Sequence, residues 1–204
     1  MATVLLVRHA TTALTATRLV GRTPGIGLDD AGRAQATDVA QRLAGVHLTA
    51  VYSSPLARAE QTAAAIAAPR GLSVRTLDGV GEVDYGRWTG RTYTQLRRLR
   101  AWWPVMATPG RVTFPGGEPL RDVQRRAVDA LEQLATEHRV VDAVVVVSHA
   151  DVIRSVVGWY LGAPFDLLQR ISVDPASVTV LSMPRTGVVR VERVNDTGAL
   201  GPRP

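Results

Sequence analysis

Short apolar runs of strand length alternate with amphipathic helical segments along this chain, and two of those runs break off into a polar pair. Val4 to Val7 ends in Arg8-His9, and Ala143 to Val147 ends in Ser148-His149. An apolar run without alternation needs cover on both faces, as a parallel strand between two helix layers has. Ala50 to Ser53 and Ser73 to Leu77 read as further short strands. Between them lie helical stripes. One begins at Leu28-Asp29-Asp30, turns Ala36, Val39, Ala40 and Leu43 inward, and closes at Gly45. The next begins at Ser54-Pro55 with Leu56, Ala59, Ala63 and Ile66 inward. A long helix carries Leu120, Val123, Ala127, Leu131 and Leu134 on one stripe. Asp151 to Leu161 reads as a buried helix after a central strand at Ala143 to Ser148. Ser177 to Met183 and Val188 to Val194 form a last strand pair around Pro184 to Gly187.

This order predicts an α/β fold, a three-layer α/β/α sandwich around a mostly parallel sheet. The 204 residues suit one domain over 1–204 with a sizeable core. Residues 79–119 are less regular: they hold three of the four tryptophans and the Pro115-Gly116-Gly117 turn. They read as a cap or lid with one helix near Tyr93 to Trp103. Residues 198–204 read as a loose tail.

Composition narrows the chemistry. There is no cysteine, which excludes a thiolate nucleophile, a disulfide and cysteine-ligated metal. All 24 basic residues are arginine, so P-loop, Schiff-base and kinase-type lysines are excluded too. The net charge of +6 fits an anionic partner, or simply a genome that writes arginine for lysine, as the single asparagine also suggests. Aromatics are only 5% and the arginines are scattered, so nucleic acid is not expected. No stretch is long enough to span a membrane, no basic leader opens the chain, and the cytoplasm is the default expectation.

Functional groups of open α/β sheets gather at the carboxyl ends of strands. Those positions hold Arg8-His9, Ser53-Ser54 followed by Arg58, Glu82, and Ser148-His149. Two histidines, two arginines and a carboxylate thus converge from four segments. A neutral, oriented imidazole attacks phosphorus without a base to deprotonate it. Phosphoryl transfer spreads charge over three equatorial oxygens, which Arg8, Arg58 and a cationic His149 would meet with fixed donors. Glu82 would protonate the leaving alkoxide and then help deprotonate water. With arginines supplying charge stabilisation, no metal is needed.

These residues sit in five blocks that occur in order. They are Arg8-His9-Ala10, Ser53-Ser54-Pro55-Leu56-Ala57-Arg58-Ala59-Glu60-Gln61-Thr62-Ala63, Glu82-Val83-Asp84-Tyr85-Gly86-Arg87-Trp88-Thr89-Gly90, Pro115 to Glu118, and Val147-Ser148-His149-Ala150-Asp151-Val152-Ile153-Arg154. The sequence so resembles the histidine phosphatase superfamily, the phosphoglycerate-mutase-like group, in the branch whose acid is a glutamate. It departs from the family at Ala10 and Ala150, which stand where glycines usually follow each histidine, and at Thr15, where many members carry asparagine. A methyl group there could crowd the phosphate.

The resemblance implies a phosphomonoester hydrolase working through a phosphohistidine on a small phosphorylated metabolite. His9, Glu82, Arg8, Arg58 and His149 are then the catalytic set, and Thr15, Gly21 and Arg22 line the substrate pocket. No metal and no cofactor are implied. A phosphomutase, which would need a bisphosphate primer, and a non-catalytic binder of phosphorylated ligands are the alternatives. Trp88, Trp102 and Trp103 read as lid packing, and Arg97, Arg98 and Arg100 as a solvated helix face. Substrate identity and oligomeric state stay open.

Overall fold

A computed structural model describes residues 2–198. Among them runs a six-stranded sheet in the order β3-β2-β4-β1-β5-β6. The strands are β1 (Ala2–Arg8), β2 (Leu48–Ser53), β3 (Val74–Thr76), β4 (Ala143–Ser148), β5 (Val178–Met183) and β6 (Arg190–Asp196). β1 to β4 are mutually parallel, and β5 runs antiparallel to both its neighbours. One strand is therefore reversed, as a mostly parallel sheet requires.

Alternation along the strands builds two cores. Leu5, Val7, Val51, Val145 and Val147 face one side, against α1 (Asp30–Arg42) and α2 (Ala57–Ala67). Val4, Leu6, Val144, Val146 and Leu181 face the other, against α5 (Leu120–Glu137) and α6 (Ala150–Tyr160). Val144 to Val147 are fully buried because β4 lies mid-sheet with helices on both faces. The stripe expected on the long helix, Leu120 to Leu134, is buried throughout. Among the described residues no helix is long and apolar enough to cross a membrane.

α1 opens on Asp29, whose carboxylate accepts the Gly32 N–H at 2.6 Å and the Thr11 hydroxyl at 3.0 Å. The cap thus also ties the helix to the loop that follows β1. The helix ends at Arg42, ahead of Gly45, with Leu43 and Ala44 forming the turn. Of the inward set expected on α2, Ala59, Ala63 and Ile66 are buried; Leu56 precedes the helix and is only half-buried.

The segment between Gly79 and Pro119 corrects one expectation. In place of a single helix near Tyr93 to Trp103 there are α3 (Tyr93–Arg97), a 3₁₀ turn at Arg100–Trp102 and α4 (Trp103–Ala107). Leu99 is extended between the first two (φ −86°, ψ 126°). Pro104 lacks an N–H, and its ring would strike the carbonyl four residues back, so it is accommodated only where a helix starts anew. Trp88 packs edge-on against Phe114 and Tyr93 against Trp102, the two tryptophans are tilted against each other, and the cluster holds the segment to the core. Of the expected tail, residues 199–204 lie outside the described residues.

Gly86 joins this segment to the Pro115-Gly116-Gly117 turn. Its φ is +52°, and an added Cβ would lie 2.3 Å from the Pro115 carbonyl oxygen. Gly86→Ala combines left-handed strain with a backbone clash and is expected to cost at least about 2 kcal/mol. For a chain of this size that lowers Tm by roughly 4–8 °C. A thermal melt that does not move would refute this account of the turn.

Candidate active site

The parallel register sets the site. β1 pairs with β4 so that Arg8 lies opposite Ser148, and the His9 N–H donates to the Ser148 carbonyl at 2.9 Å. On the other side of β4, Ser53 lies opposite Val147 and the Ser54 N–H donates to the Val147 carbonyl at 2.9 Å. Three strands therefore end level, and their next residues share one corner. The His9 and His149 rings stand 5.1 Å apart between centroids.

His9 is buried, with Nδ1 2.7 Å from the Ala10 carbonyl oxygen. A carbonyl only accepts, so Nδ1 carries the hydrogen and Nε2 keeps its lone pair. Arg58 Nε donates to Nε2 at 3.3 Å. Burial, then the Arg58 and Arg8 charges, push the His9 imidazole down to about 3, against the Ala10 hydrogen bond. The ring is neutral at pH 7. Ala10 itself is fixed by Thr62, whose hydroxyl accepts the Ala10 N–H at 3.1 Å and donates to the Arg58 carbonyl at 2.8 Å.

Arg58 sits at the start of α2 and is 2% exposed. Its Nη2 donates to the Gly21 carbonyl at 2.8 Å and lies 3.3 Å from His149 Nδ1. Arg8 Nη1 donates to the Val173 carbonyl at 2.7 Å. Arg58 Nη1 and Arg8 Nε are buried donors with no hydrogen-bond partner among the described residues. Buried guanidinium N–H groups are costly to leave unpaired, and a multiply charged oxyanion at this corner would satisfy them.

His149 is wholly buried, with Nε2 2.8 Å from the Ser54 hydroxyl. Burial first, and then His9, Arg58 and Arg8, hold its pKa well below the usual histidine value. This corrects the expectation of a cationic second histidine: the site is already rich in guanidinium, so the ring is neutral. With Arg58 donating to Nδ1, the ring gives its hydrogen from Nε2 to Ser54. A Ser54 hydroxyl rotated to donate instead moves that hydrogen to Nδ1, facing the site.

Glu82 is buried, with Oε1 accepting the Val83 N–H at 2.9 Å and Oε2 3.6 Å from His149 Nδ1. Burial, and next the Asp151 carboxylate, push its carboxyl up to about 7, against Arg58, the Val83 N–H and Arg8. A carboxyl poised near neutrality can deliver and retrieve a proton. Its backbone is clamped as well. The Glu82 carbonyl accepts from Arg22 Nε at 2.8 Å and from Arg126 Nη2 at 3.2 Å. Glu118 Oε1 pairs both of those arginines, at 2.7 and 2.9 Å, and accepts the Asp84 N–H at 2.8 Å.

The three residues expected to line the pocket fall differently. Thr15 borders the small concavity beside Arg8, His9 and Arg58, but its hydroxyl accepts the Thr12 N–H at 2.8 Å and so also shapes the loop. Gly21 borders the same concavity and offers its carbonyl to Arg58. Arg22 faces the far side of Glu82 and acts on that residue's backbone. The alanines in place of glycine are accommodated. Ala10 is fully buried in the core beneath α1 and α2, and neither Ala10 nor Ala150 has a positive φ. Ala150 borders the main cavity, so its methyl group trims the space there.

Sequence reasoning gave no role to Thr62, Tyr85, Glu118 or Arg126, placed Ser54 at the sheet edge without a role, did not give Asp151 a part in the site, and put Arg22 in the pocket rather than in a cluster with Glu118 and Arg126. Thr62 lies in the second motif block, and its spacing of four from Arg58 on one helix was the available signal. Tyr85 and Asp151 meet only in three dimensions: the Tyr85 hydroxyl donates to Asp151 Oδ2 at 2.6 Å. Arg97 and Trp103, read as solvated and as packing, both border a cavity of about 550 Å³ that opens from His9 and Glu82.

Known proteins resemble this chain in sequence and in fold. Phosphoserine phosphatase 1 of Hydrogenobacter thermophilus is 34% identical over 191 residues, covering 90% of this chain and 87% of its own. A bifunctional protein of Mycobacterium tuberculosis is 32% identical over 202 residues; the match covers 96% of this chain but 54% of that relative, so the chain spans about half its length. The solved structure of Bacillus stearothermophilus YhfR superposes with a TM-score of 0.90 at 26% identity, covering 97% of this chain and 98% of that one. A family model matches residues 4–197, all five motif blocks included, and the chain belongs to branch 1 of the histidine phosphatase superfamily.

Proposed function

We propose that the protein hydrolyses phosphomonoesters through a phosphohistidine on His9. The observation that carries this is the neutral His9 ring, hydrogen on Nδ1 and lone pair on Nε2, set among buried guanidinium donors that lack partners. The substrate phosphoryl group sits between Arg8, Arg58 and His149. Nε2 attacks phosphorus, forming the N–P bond as the P–O bond to the alcohol breaks. Glu82 gives its proton to the departing oxygen. The Arg8 and Arg58 donors stabilise the charge on the equatorial oxygens. In the second half Glu82, now a carboxylate, takes a proton from water as the water oxygen attacks phosphorus. The N–P bond breaks, inorganic phosphate leaves, and His9 and Glu82 return to their starting states.

That Hydrogenobacter relative is named for a phosphomonoesterase activity, which supports hydrolysis. The arginines supply the charge stabilisation that a metal would otherwise give, so no metal or cofactor enters the cycle we propose. Turnover is expected to persist in the presence of a chelator and without a bisphosphate primer. Restoration of a chelated enzyme by added metal would overturn the metal-free cycle. Strict dependence on the primer would make the protein a mutase.

His9→Ala should abolish turnover and the acid-labile label left by a phosphorylated substrate. Arg58→Ala should lower kcat/KM about 10²-fold or more, as expected for loss of a transition-state donor. A His9→Ala protein with unchanged rate and label would mean that another group attacks.

The pH dependence follows from the two shifted groups. His9 is pushed down to about 3, so its protonation does not limit the rate near neutrality. Glu82 must be protonated for the first step and is pushed up to about 7, so kcat/KM should decline as pH rises through about 7. Glu82→Gln should remove that alkaline limb and slow alkyl esters far more than 4-nitrophenyl phosphate, whose leaving group needs no proton. Equal losses on both ester types, with the limb intact, would show that Glu82 is not the acid.

A further inference from the structure

The cavity beyond the His9 corner is much larger than a phosphoryl group needs, and its outer part is aromatic. Its volume of about 550 Å³ matches sites that enclose a sizeable organic ligand. Tyr93 and Trp102 line it, and Trp103 and Met106 border it while 67% and 46% exposed. Large apolar side chains left uncovered beside a catalytic corner mark a surface that a ligand covers.

The polar groups of the outer cavity are partly engaged with one another, although Arg154 Nε is a buried donor without a partner among the described residues. Arg154 Nη1 donates to Gln169 Oε1 and pairs with Asp151 Oδ1 at 3.2 Å, while Asp151 also accepts the Tyr85 hydroxyl. A compact acid phosphate that reached Arg154 would lie beside the Asp151 carboxylate. Arg97 borders the cavity with no ion pair among the described residues, free to lie over a ring or beside a distant anion.

We propose that the alcohol half of the substrate carries a large flat ring system, held against Tyr93, Trp102 and Trp103, with a nucleoside 5′-monophosphate or an arylalkyl phosphate presenting the required chemistry. The inference rests on the phosphatase reading. It differs from the three-carbon amino-acid ester in the name of the Hydrogenobacter relative, because Tyr93, Trp102, Trp103 and Met106 line the outer cavity and two of them stand uncovered.

The test uses four esters of primary alcohols, so that leaving-group acidity stays nearly matched. They are adenosine 5′-monophosphate, 2-(1-naphthyl)ethyl phosphate, phosphoserine and 3-phosphoglycerate. At least one ring ester should exceed both small esters about tenfold or more in kcat/KM, and the one that leads assigns the source of the ring. Trp103→Ala should shrink that preference severalfold through a raised KM for the ring ester, and Trp103→Phe should retain most of it. Small esters turned over as well as the ring esters would overturn the inference and leave the phosphatase reading standing. A preference that Trp103→Ala leaves intact would overturn the assigned wall. No turnover of any of the four would overturn both.

Discussion

The level ending of β1, β4 and β2 is the constraint on which everything else in this site depends. Parallel pairing puts Arg8 opposite Ser148 and Val147 opposite Ser53, so both histidines and the run into Arg58 leave the sheet at one corner. Sheet register is set by which side chains face the two cores. A slip of one residue would turn Leu5, Val7, Val145 and Val147 to the wrong face. The apolar pattern of the strands thus guards the catalytic geometry.

Burial at that corner does opposite things to the two groups that need tuning. It disfavours charge, which lowers the base His9 and raises the acid Glu82. The same desolvation therefore makes one group a ready nucleophile and the other a proton carrier. Asp151 reinforces the second shift. Its own charge is balanced by Arg154 and by the Tyr85 hydroxyl, which lets a carboxylate remain close to Glu82.

Much of the corner was legible in the sequence because its parts are local. A histidine directly after an apolar run, or an arginine in the first turn of a helix that follows a Ser-Ser-Pro turn, carries its placement in the neighbouring residues. Arg22 was not legible in this way. Its position on the loop after β1 suggested a pocket residue, yet its guanidinium turns to the Glu82 carbonyl and Glu118, whose positions depend on how the 79–119 segment folds back. The helix expected over Tyr93 to Trp103 failed for a similar reason. Its apolar residues serve several directions at once, and the break at Leu99 and restart before Pro104 satisfy packing that no helical period describes.

By itself the sequence determined the strand and helix order, the two-sided burial of the central strand and the five blocks of chemical groups, because each follows from spacing within a few residues. Tertiary structure alone decided the charge states of His9, His149 and Glu82, since these depend on desolvation and on arginines that arrive from other segments. It alone also decided the shape and aromatic wall of the cavity. Those come from Trp102, Trp103 and Tyr93 lining one cavity with Arg154 and Asp151, which lie tens of residues away along the chain and come near only when the sheet brings the segments together.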